Sequence, residues 1–543
     1  MRNRSNNSDL EVYAVAGTHT AVLSFDFKTK PQGLLGFAIE RKEEKTGKRI
    51  WLEGQKCFKS IITDPVKGQK YPTHLHPVQS FMWKDFTLTP GESYTFKITP
   101  VFGTAAQLSY GAPTEIKVTA EKEWNGKQGV YFNRGITGSQ SYAEHFPPGK
   151  ISDMDETDRE RALRWLSRGL FEGLKDYIES AKKGEFLYGA FYEFKEPRTL
   201  QLFKAAKARG VNVLLLIDGK QYKEDNEAAV KKAGITSLIK AWRTKAKIPH
   251  NKFLVHCSKV GTPTRVWTGS TNISEKGIFG QCNTGHILKD KTIAGKYLAF
   301  WNVLKTDPAR AALVPEVMNF QADVEAAQLP ANSVSSFFSP RQTVKMLDVY
   351  AELVEGATEM ACGIFPFNID KRFQEAFDAE KDFPRYIIVD KISNEFKPND
   401  RDLDIAGGSY IKSAVDQWVK EKSAASTFYG GTDFVHNKLL IIDPLGQSPK
   451  IVVGSANFSE PSTTGNDENM LVIKGPQYKR EADIYLTEFI RLFDHFNFRE
   501  WLNSAPTEFK PFLEEGSTWV NKHFDSPTYL SYKRKMVFKN MVI

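Results

Sequence analysis

The fold of this chain is decided by the stretch His436-Asn437-Lys438-Leu439-Leu440-Ile441-Ile442-Asp443, which Gly454-Ser455-Ala456-Asn457 follows closely. A second copy lies upstream, as His250-Asn251-Lys252 and then Gly269-Ser270-Thr271-Asn272. We interpret each His-x-Lys as part of a β-strand, in which alternate side chains share a face, so that the imidazole and the ammonium point the same way. The serine hydroxyls and asparagine amides add neutral hydrogen-bond donors. Together these groups suit attack on a phosphodiester and stabilisation of its charged oxygens.

The duplicated pattern resembles that of the phospholipase D superfamily, in which His-x-Lys-x4-Asp and a later Gly-Ser-x-Asn occur twice in each active site. The second copy matches in full, with Asp443 at the acidic position, whereas the first copy has Cys257 there. The resemblance covers roughly the last three quarters of the chain, and two copies are far more specific than one short motif would be. It implies an enzyme, a phosphodiesterase of the phospholipase D type.

The two copies also agree beyond the motif. Aligned without a gap from Asn272 and Asn457, they place Asn283 opposite Glu468, each eleven residues after its asparagine. In the family this position carries a group that orients a catalytic imidazole, and a fixed histidine tautomer generally needs such a partner. The pairing of an amide with a carboxylate is similar to that of tyrosyl-DNA phosphodiesterases. A carboxylate partner favours imidazolium, which suits His436 as the general acid.

The resemblance implies one active site between the two halves, with His250 as the nucleophile that forms a phosphohistidine and His436 as the acid. Two lysines and two asparagines would hold the non-bridging oxygens, so we expect neither a metal nor another cofactor. The predicted catalytic residues are His250, Lys252, Asn272, His436, Lys438, Asp443, Asn457 and Glu468, supported by Ser270, Asn283 and Ser455.

The domain organisation follows from the patterning of the chain. Residues 1–122 alternate apolar runs with turn signals and look like a fibronectin type III sandwich, an all-β scaffold or a module that binds a protein partner. Residues 123–325 and 326–504 alternate strands and helices, which predicts two tandem α/β/α repeats that form a pseudo-dimer, each with a mainly parallel sheet. Residues 505–543 are predicted to form a C-terminal strap or tail.

Two helices are predicted from apolar periodicity. Residues 160–183 place leucines on one stripe and are expected to form a single long helix. Residues 482–503 are expected to form the closing amphipathic helix of the second repeat.

The whole-chain composition excludes several classes of protein. The 543 residues contain 74 Lys and Arg against 65 Asp and Glu, a net charge of +9, which is compatible with a phosphate-bearing substrate. Four cysteines without a C-x-x-C pair argue against a disulfide framework and favour a reducing, cytoplasmic compartment. The polar N-terminus does not match a signal peptide, and no apolar run is long enough to span a membrane.

The class of substrate is the main alternative left by the sequence. Between Glu227 and Glu275 the chain carries basic residues and no acidic ones, a run that could follow a polynucleotide backbone or rest on anionic lipid headgroups. We favour nucleic acid, with phospholipid the alternative for a phospholipase D or phosphatidyl transferase, and a non-catalytic binding protein as a third possibility. The candidate substrate-binding residues in the run are Lys240, Arg243, Lys245 and Lys247.

Cys257 has three interpretations: a buried replacement for the motif aspartate, a redox-sensitive thiol beside basic groups, or a sign that the first half is damaged. We favour the buried replacement. A zinc site built from His256, Cys257, Cys282 and His286 is disfavoured because His256 and Cys257 are neighbours that point to opposite faces. The pair His74 and His76 lacks further ligands.

Overall fold

The computed structural model describes residues 1–66, 68–135, 140–146, 151–390, 392, 402–408, 435–504 and 511–543. None of the described helices has the length and apolar character needed to cross a bilayer.

The N-terminal region is a β-sandwich of two antiparallel sheets. The first has the strand order β1-β2-β3-β9 and the second β11-β10-β4-β5, with β12 also paired to β10. Phe25, Phe37 and Phe81 fill the core between them. The strands are β1 (Arg2–Asn6), β2 (Leu10–Ala16), β3 (Ala21–Phe27), β4 (Gly36–Glu43), β5 (Arg49–Trp51), β6 (Glu53–Gly54), β7 (Cys57–Phe58), β8 (Tyr71–Pro72), β9 (Met82–Asp85), β10 (Ser93–Thr104), β11 (Gln107–Tyr110) and β12 (Thr114–Thr119).

The first repeat is built on a seven-stranded sheet with the order β13-β19-β18-β17-β14-β15-β16. Its elements are β13 (Gln128–Phe132), α1 (Gln140–His145), α2 (Glu156–Ser167), α3 (Leu170–Glu179), β14 (Phe186–Phe191), α4 (Pro197–Ala208), β15 (Asn212–Asp218), α5 (Lys223–Ala233), β16 (Ile239–Arg243), β17 (Lys252–Cys257), β18 (Pro263–Gly269), a π-helical turn (Lys276–Gly280), β19 (Thr284–Leu288), α6 (Lys291–Leu304) and α7 (Arg310–Phe320).

The second repeat has the same topology, in the order β20-β26-β25-β24-β21-β22-β23. Its elements are β20 (Ser333–Ser339), α8 (Lys345–Glu355), β21 (Ala361–Phe365), α9 (Lys371–Asp378), β22 (Arg385–Val389), β23 (Leu403–Gly407), β24 (Leu439–Ile442), β25 (Lys450–Gly454), α10 (Glu460–Thr464), β26 (Glu468–Lys474) and α11 (Lys479–Ser504). The predicted closing helix therefore exists, slightly longer than expected.

The prediction of mainly parallel sheets was wrong. In the described part of each sheet only β14-β15-β16, or β21-β22-β23 in the second repeat, run parallel, and the other four pairings are antiparallel. The motif strands follow one another through connections too short for a helical crossover, so they pair as hairpins. The two motif strands, β17 and β24, thus lie in the middle of their sheets.

The helix expected over residues 160–183 is two helices, α2 and α3. The chain turns between them at Arg168 and Gly169, which have φ angles of 48° and 95°. A side chain at Gly169 would meet the carboxylate of Glu123, and Arg168 reaches away to bind Glu488 at 2.5 Å. Leucine periodicity continues through the break and therefore does not reveal it.

The two repeats share one core. Phe253 and Leu288 of the first repeat belong to the same buried cluster as Leu439 and Leu471 of the second. Helix α6 packs both against β17 and β18 of its own sheet and against β20 of the other. This close packing brings the motif ends of the two sheets together.

The C-terminal segment and the N-terminal sandwich hold each other in place. β27 (Phe512–Leu513) pairs with β7, and Trp519 of the 3-10 helix Thr518–His523 lies in the sandwich core. In α12 (Leu530–Lys539), Lys535 binds Asp26 of the sandwich at 2.6 Å. The segment therefore completes the sandwich rather than extending from it.

Candidate active site

The motif residues lie at the start of the two central strands. His250 and Asn251 precede β17, which begins at Lys252, and the second motif precedes β24 entirely. The triplets thus lie at the edge of the sheet, and only Lys252 is within a strand. Each lysine ammonium donates a hydrogen bond to the backbone carbonyl of its own histidine, at 2.6 Å in the Lys252–His250 pair.

The orienting residues cross between the repeats. The Nδ1 atom of His250 lies 2.9 Å from Oε2 of Glu468, and Nδ1 of His436 lies 2.7 Å from Oδ1 of Asn283. The assumption that Glu468 serves His436 was wrong, because each repeat supplies the partner of the other repeat's histidine. Both partners accept a hydrogen bond from Nδ1–H, so Nε2 is the ring atom that can react.

The motif serines support these partners. Ser270 Oγ donates to Asn283 Oδ1 at 2.8 Å, and Ser455 Oγ donates to Glu468 Oε2 at 2.6 Å. A hydroxyl has one proton, so neither serine has a donor left for a phosphate oxygen. The two serines, predicted to support the site, thus bind the residues that orient the histidines.

The middle residues of the two His-Asn-Lys triplets tie the repeats together, a role that we did not predict. Asn251 Oδ1 accepts from Asn469 of the second repeat at 2.9 Å. Asn437 Oδ1 accepts from Thr284 Oγ1 of the first repeat at 2.9 Å. The signal was present in the sequence, because both triplets carry asparagine at a position that the family pattern leaves open.

Asn133 also escaped sequence analysis. Its side chain is 1% exposed and donates to the carbonyls of Ile278 and Gln281, both at 2.7 Å, while its Oδ1 accepts from the backbone N–H of Asn283 at 2.9 Å. It thus fixes the segment that delivers Asn283 to His436. Nothing in its local sequence marks it, since its partners lie some 150 residues away.

The electrostatics of the site are those of a buried cationic pair. Burial lowers the pKa of Lys252 to about 7, although Glu468 opposes this, and burial together with the Lys252 charge lowers the pKa of Lys438 well below its usual range. Burial raises the pKa of Glu468 to about 8 against the effects of Lys252, Ser455 and Asn466. Burial and the two lysines hold the pKa of both histidines well below the ordinary value. An entering anion would relieve this excess of buried positive charge.

Asp443, predicted to be catalytic, is remote from the histidines. Four strand residues separate it from Lys438, five residue steps or roughly 17 Å at the usual rise of a strand. Its Oδ1 accepts from the backbone N–H groups of Thr358 and Glu359, at 2.9 and 2.8 Å. The acidic residue of the motif therefore supports a loop. Cys257, its counterpart, is the fully buried last residue of β17, and burial raises its thiol pKa to about 12.

Not every basic residue of the run between Glu227 and Glu275 is available to a substrate. Arg243 is 4% exposed and binds Asp467 at 2.7 Å and Asp307 at 2.6 Å, so it is not available to a substrate. Lys240, Lys245 and Lys247 are exposed. The acids that neutralise Arg243 come from outside the run.

The two histidines open into one cleft of about 850 Å³, whose walls also include Asn272 and Asn457. The amide of Asn272 donates to Glu193 at 2.7 Å. Aromatic rings that sequence analysis missed line the same cleft: Tyr192, Tyr222 and Phe367. Lys252, Lys438 and Glu468 are buried next to these histidines: each lysine contacts the carbonyl of its own histidine, and Glu468 contacts His250.

Three of the histidines considered as zinc ligands have protein partners. His256 binds Glu185 and Arg265, each at 3.0 Å, and His286 lies between Tyr485 and Gln128. His76 accepts from the backbone of Phe58. Over the described residues, no three histidine, cysteine or acidic side chains come together as a metal site would require.

A known family model matches both repeats of the chain. The family model described as "Cardiolipin synthase, PLD-like domain" matches residues 174–304 and 378–493, one segment in each repeat. No curated protein sequence matches the chain significantly.

Several solved structures are similar to this one at low identity. Polyphosphate kinase from Porphyromonas gingivalis is 14% identical, with a TM-score of 0.41 over 60% of this chain and 46% of its own, so less than half of that protein is matched. Phosphatidylserine synthase from Haemophilus influenzae is 14% identical, with a TM-score of 0.42 over 69% of this chain and 94% of its own. Yeast tyrosyl-DNA phosphodiesterase is 12% identical, with a TM-score of 0.31 over 55% of this chain and 85% of its own.

Proposed function

The chain belongs to the phospholipase D superfamily, and we propose that it hydrolyses a phosphodiester through a covalent phosphohistidine. The observation that carries this proposal is the crossed pairing of His250 with Glu468 and of His436 with Asn283, at one cleft. Two imidazoles whose Nδ1 atoms are held by partners, so that Nε2 can react, are what a two-step displacement needs.

In the first step Nε2 of His250 attacks phosphorus, and the bond from phosphorus to the leaving oxygen breaks. Glu468 accepts the Nδ1–H of His250 and balances the positive charge that the phosphorylated ring acquires. His436, protonated on Nε2, gives that proton to the leaving oxygen. The lowered pKa of His436 makes it a strong acid once the substrate's negative charge lets it hold a proton.

In the second step His436, now neutral, takes a proton from a water molecule that attacks phosphorus. The phosphorus–nitrogen bond breaks, neutral His250 leaves, and a phosphomonoester is released. Throughout both steps the ammonium groups of Lys252 and Lys438, with the amides of Asn272 and Asn457, would stabilise the non-bridging oxygens. The buried charge of the lysines does the work that a metal ion does in other phosphodiesterases.

We propose nucleic acid as the substrate. Support comes from the exposed Lys240, Lys245 and Lys247, which precede His250, and from Lys276 on the cleft wall. Lys247 packs close to Gly465, the neighbour of the cleft residue Asn466. Such lysines would neutralise successive backbone phosphates on the way to the histidines.

A phospholipid is the second candidate, and one observation favours it. Phe367 is 54% exposed and lines the cleft, an apolar side chain of the kind that would enter a bilayer surface. The sequence alone offered no such apolar lip. A purely binding function is disfavoured, since both histidines are held in the orientation that catalysis needs.

The test compares substrates with metal removed. Wild-type protein and His250→Ala are incubated in EDTA with single- and double-stranded DNA and RNA, and with liposomes of phosphatidylcholine and phosphatidylglycerol. We expect EDTA-resistant cleavage of nucleic acid by the wild type and none by the variant. Headgroup release with intact nucleic acid would establish the phospholipase alternative, and activity restored only by a divalent metal would contradict the mechanism.

A further inference from the structure

The depth of the histidines restricts which nucleic acids could reach them. His250 and His436 are each only 8% exposed and lie on the floor of the cleft. A volume of about 850 Å³ is that of a small-ligand pocket, large enough for a few groups next to one phosphate. A rigid duplex keeps each phosphate on a broad cylinder, whereas a single strand can turn one phosphodiester inward.

Phe367 is the most unusual side chain at the mouth of this cleft. It is 54% exposed, although large apolar side chains are usually buried. Its φ angle is +67°, a left-handed conformation that is unfavourable for a residue with a bulky side chain. Conformations of this kind tend to be kept at functional sites, where a side chain must be aimed in one direction.

The pseudo-symmetry of the repeats shows what Phe367 replaces. Gly189 and Gly363 pair with the equivalent leucines Leu254 and Leu440, so the residues four positions later correspond. These are Glu193, which accepts from Asn272, and Phe367, which has no polar group. The two sides of an otherwise symmetric cleft therefore offer a carboxylate and an aromatic face.

The other two aromatic rings of the cleft are already engaged. Tyr192 packs edge-on to His250, and Tyr222 edge-on to Tyr192, each at 4.9 Å between ring centres. The ammonium of Lys195 lies 4.9 Å from the centre of the Tyr222 ring. These rings form the wall of the cleft, while Phe367 keeps more than half of its surface for an incoming group.

We propose that Phe367 stacks on a base beside the scissile phosphate, so that the substrate is a single-stranded polynucleotide. This rests on the proposed function and narrows it. Aromatic rings bind bases of any sequence by stacking, and only unpaired bases offer a free face. Phe367 is thus a specificity-determining residue that selects strands with accessible bases. The base sequence of the strand should have little effect on its binding.

The test distinguishes the contribution of the bases to binding from that of the phosphates. In a His250→Ala background, binding is measured for a single-stranded oligonucleotide, for an abasic strand with the same phosphates, and for the duplex. The base-bearing strand should bind roughly 5- to 150-fold more tightly than the abasic strand, the range equivalent to 1–3 kcal/mol per stacked base. Phe367→Leu should remove most of this difference and Phe367→Trp should retain it. Tyr110→Leu, which removes an equally exposed aromatic ring from the sandwich, is the matched control and should change nothing.

Hydrolysis of a phosphodiester and stacking by Phe367 can be tested separately. Hydrolysis of bis(4-nitrophenyl) phosphate by the wild type, absent in His250→Ala, tests the chemistry without a polynucleotide. If that hydrolysis occurs but the abasic strand or the duplex binds as well as the base-bearing strand, the stacking role is refuted. If Phe367→Leu instead abolishes binding to anionic liposomes while oligonucleotides do not bind, the residue serves a lipid surface and the inference is overturned.

Discussion

The Nδ1 atom of His250 lies 2.9 Å from Oε2 of Glu468, although 218 residues separate the two in the chain. The second repeat therefore holds the proposed nucleophile of the first. Each repeat depends on the other for the partner that orients its histidine.

Replacing Glu468 by Gln should lower kcat by about 10⁴-fold, the loss seen when the acidic partner of a catalytic histidine becomes an amide. The amide can present its N–H to Nδ1 and so stabilise the wrong tautomer. Trapping the phosphohistidine by acid quench with labelled substrate should show slower formation of the intermediate. Glu460→Gln, a change in the first turn of α10, is the control. Unchanged formation of the intermediate would mean that Glu468 does not serve the nucleophile.

The pH dependence should reflect Lys252, whose pKa burial lowers to about 7. The mechanism needs the Lys252 ammonium, which is lost as pH rises through about 7, and the Glu468 carboxylate, which forms as pH rises through about 8. The profile of kcat/KM should therefore peak between these values and fall tenfold per unit above about 8. The measurement is a pH profile of kcat/KM, which reports the free enzyme, at constant ionic strength. A profile that stays flat to pH 9 would show that Lys252 keeps its proton or is not needed.

Asn133 should act on catalysis through Asn283 and His436. Asn133→Ala removes three hydrogen bonds to residues 278–283, and we expect kcat to fall by about 10²-fold as the acid loses its orientation. The measurement compares kcat of Asn133→Ala on 4-nitrophenyl and alkyl phosphodiesters. Because 4-nitrophenolate departs without protonation, kcat should fall less for the 4-nitrophenyl esters than for the alkyl esters. Equal losses for both esters would assign Asn133 a structural role only.

Cys257→Ser should leave kcat within about tenfold of the wild type, a small part of any enzymatic barrier. The thiol is fully buried and its pKa is raised to about 12, so no thiolate is available for chemistry at neutral pH. Incubation of the wild type with iodoacetamide should likewise leave activity intact. A loss comparable to that of His250→Ala would show that the thiol participates.

Glu488 should be a major source of stability. It binds Arg168 at 2.5 Å and Arg491 at 2.8 Å, and its pKa is lowered to about 2, with both arginines opposing the effect of burial. Glu488→Gln should reduce the free energy of unfolding by about 3–5 kcal/mol, because two buried cations lose their partner. Chemical denaturation measures this, with Glu325→Gln, an exposed pair with Lys345, as a control expected to change little.

Glu488 should also affect how the stability of the protein falls at acidic pH. The folded-state pKa of Glu488 lies below that of a free glutamate, so its contribution is complete above about pH 4.5 and is lost as pH falls toward 2. Glu488→Gln should therefore flatten the loss of stability over that window. An unchanged slope would show that other carboxyl groups determine acid unfolding.

Much of the site could be predicted from the sequence because its parts are local. His-x-Lys, Gly-Ser-x-Asn and the later Asn283 or Glu468 each lie within about forty residues, at spacings set by a hairpin of strands. Duplication made the pattern specific, and it identified the residues that orient the histidines. The family and the two-repeat fold follow from these short stretches alone.

What the sequence could not show is which groups meet across the chain. Glu468 reaches His250 and not His436 because the repeats face each other, and that crossing depends on the packing of two sheets. Arg243 seemed free because its counter-ions Asp307 and Asp467 lie 64 and 224 residues away. Asp443 seemed catalytic because the motif contains it, but a strand carries it to the far end of the sheet. Local spacing determined the chemistry of this protein, whereas only tertiary packing decided which charges are buried, paired and left for a substrate.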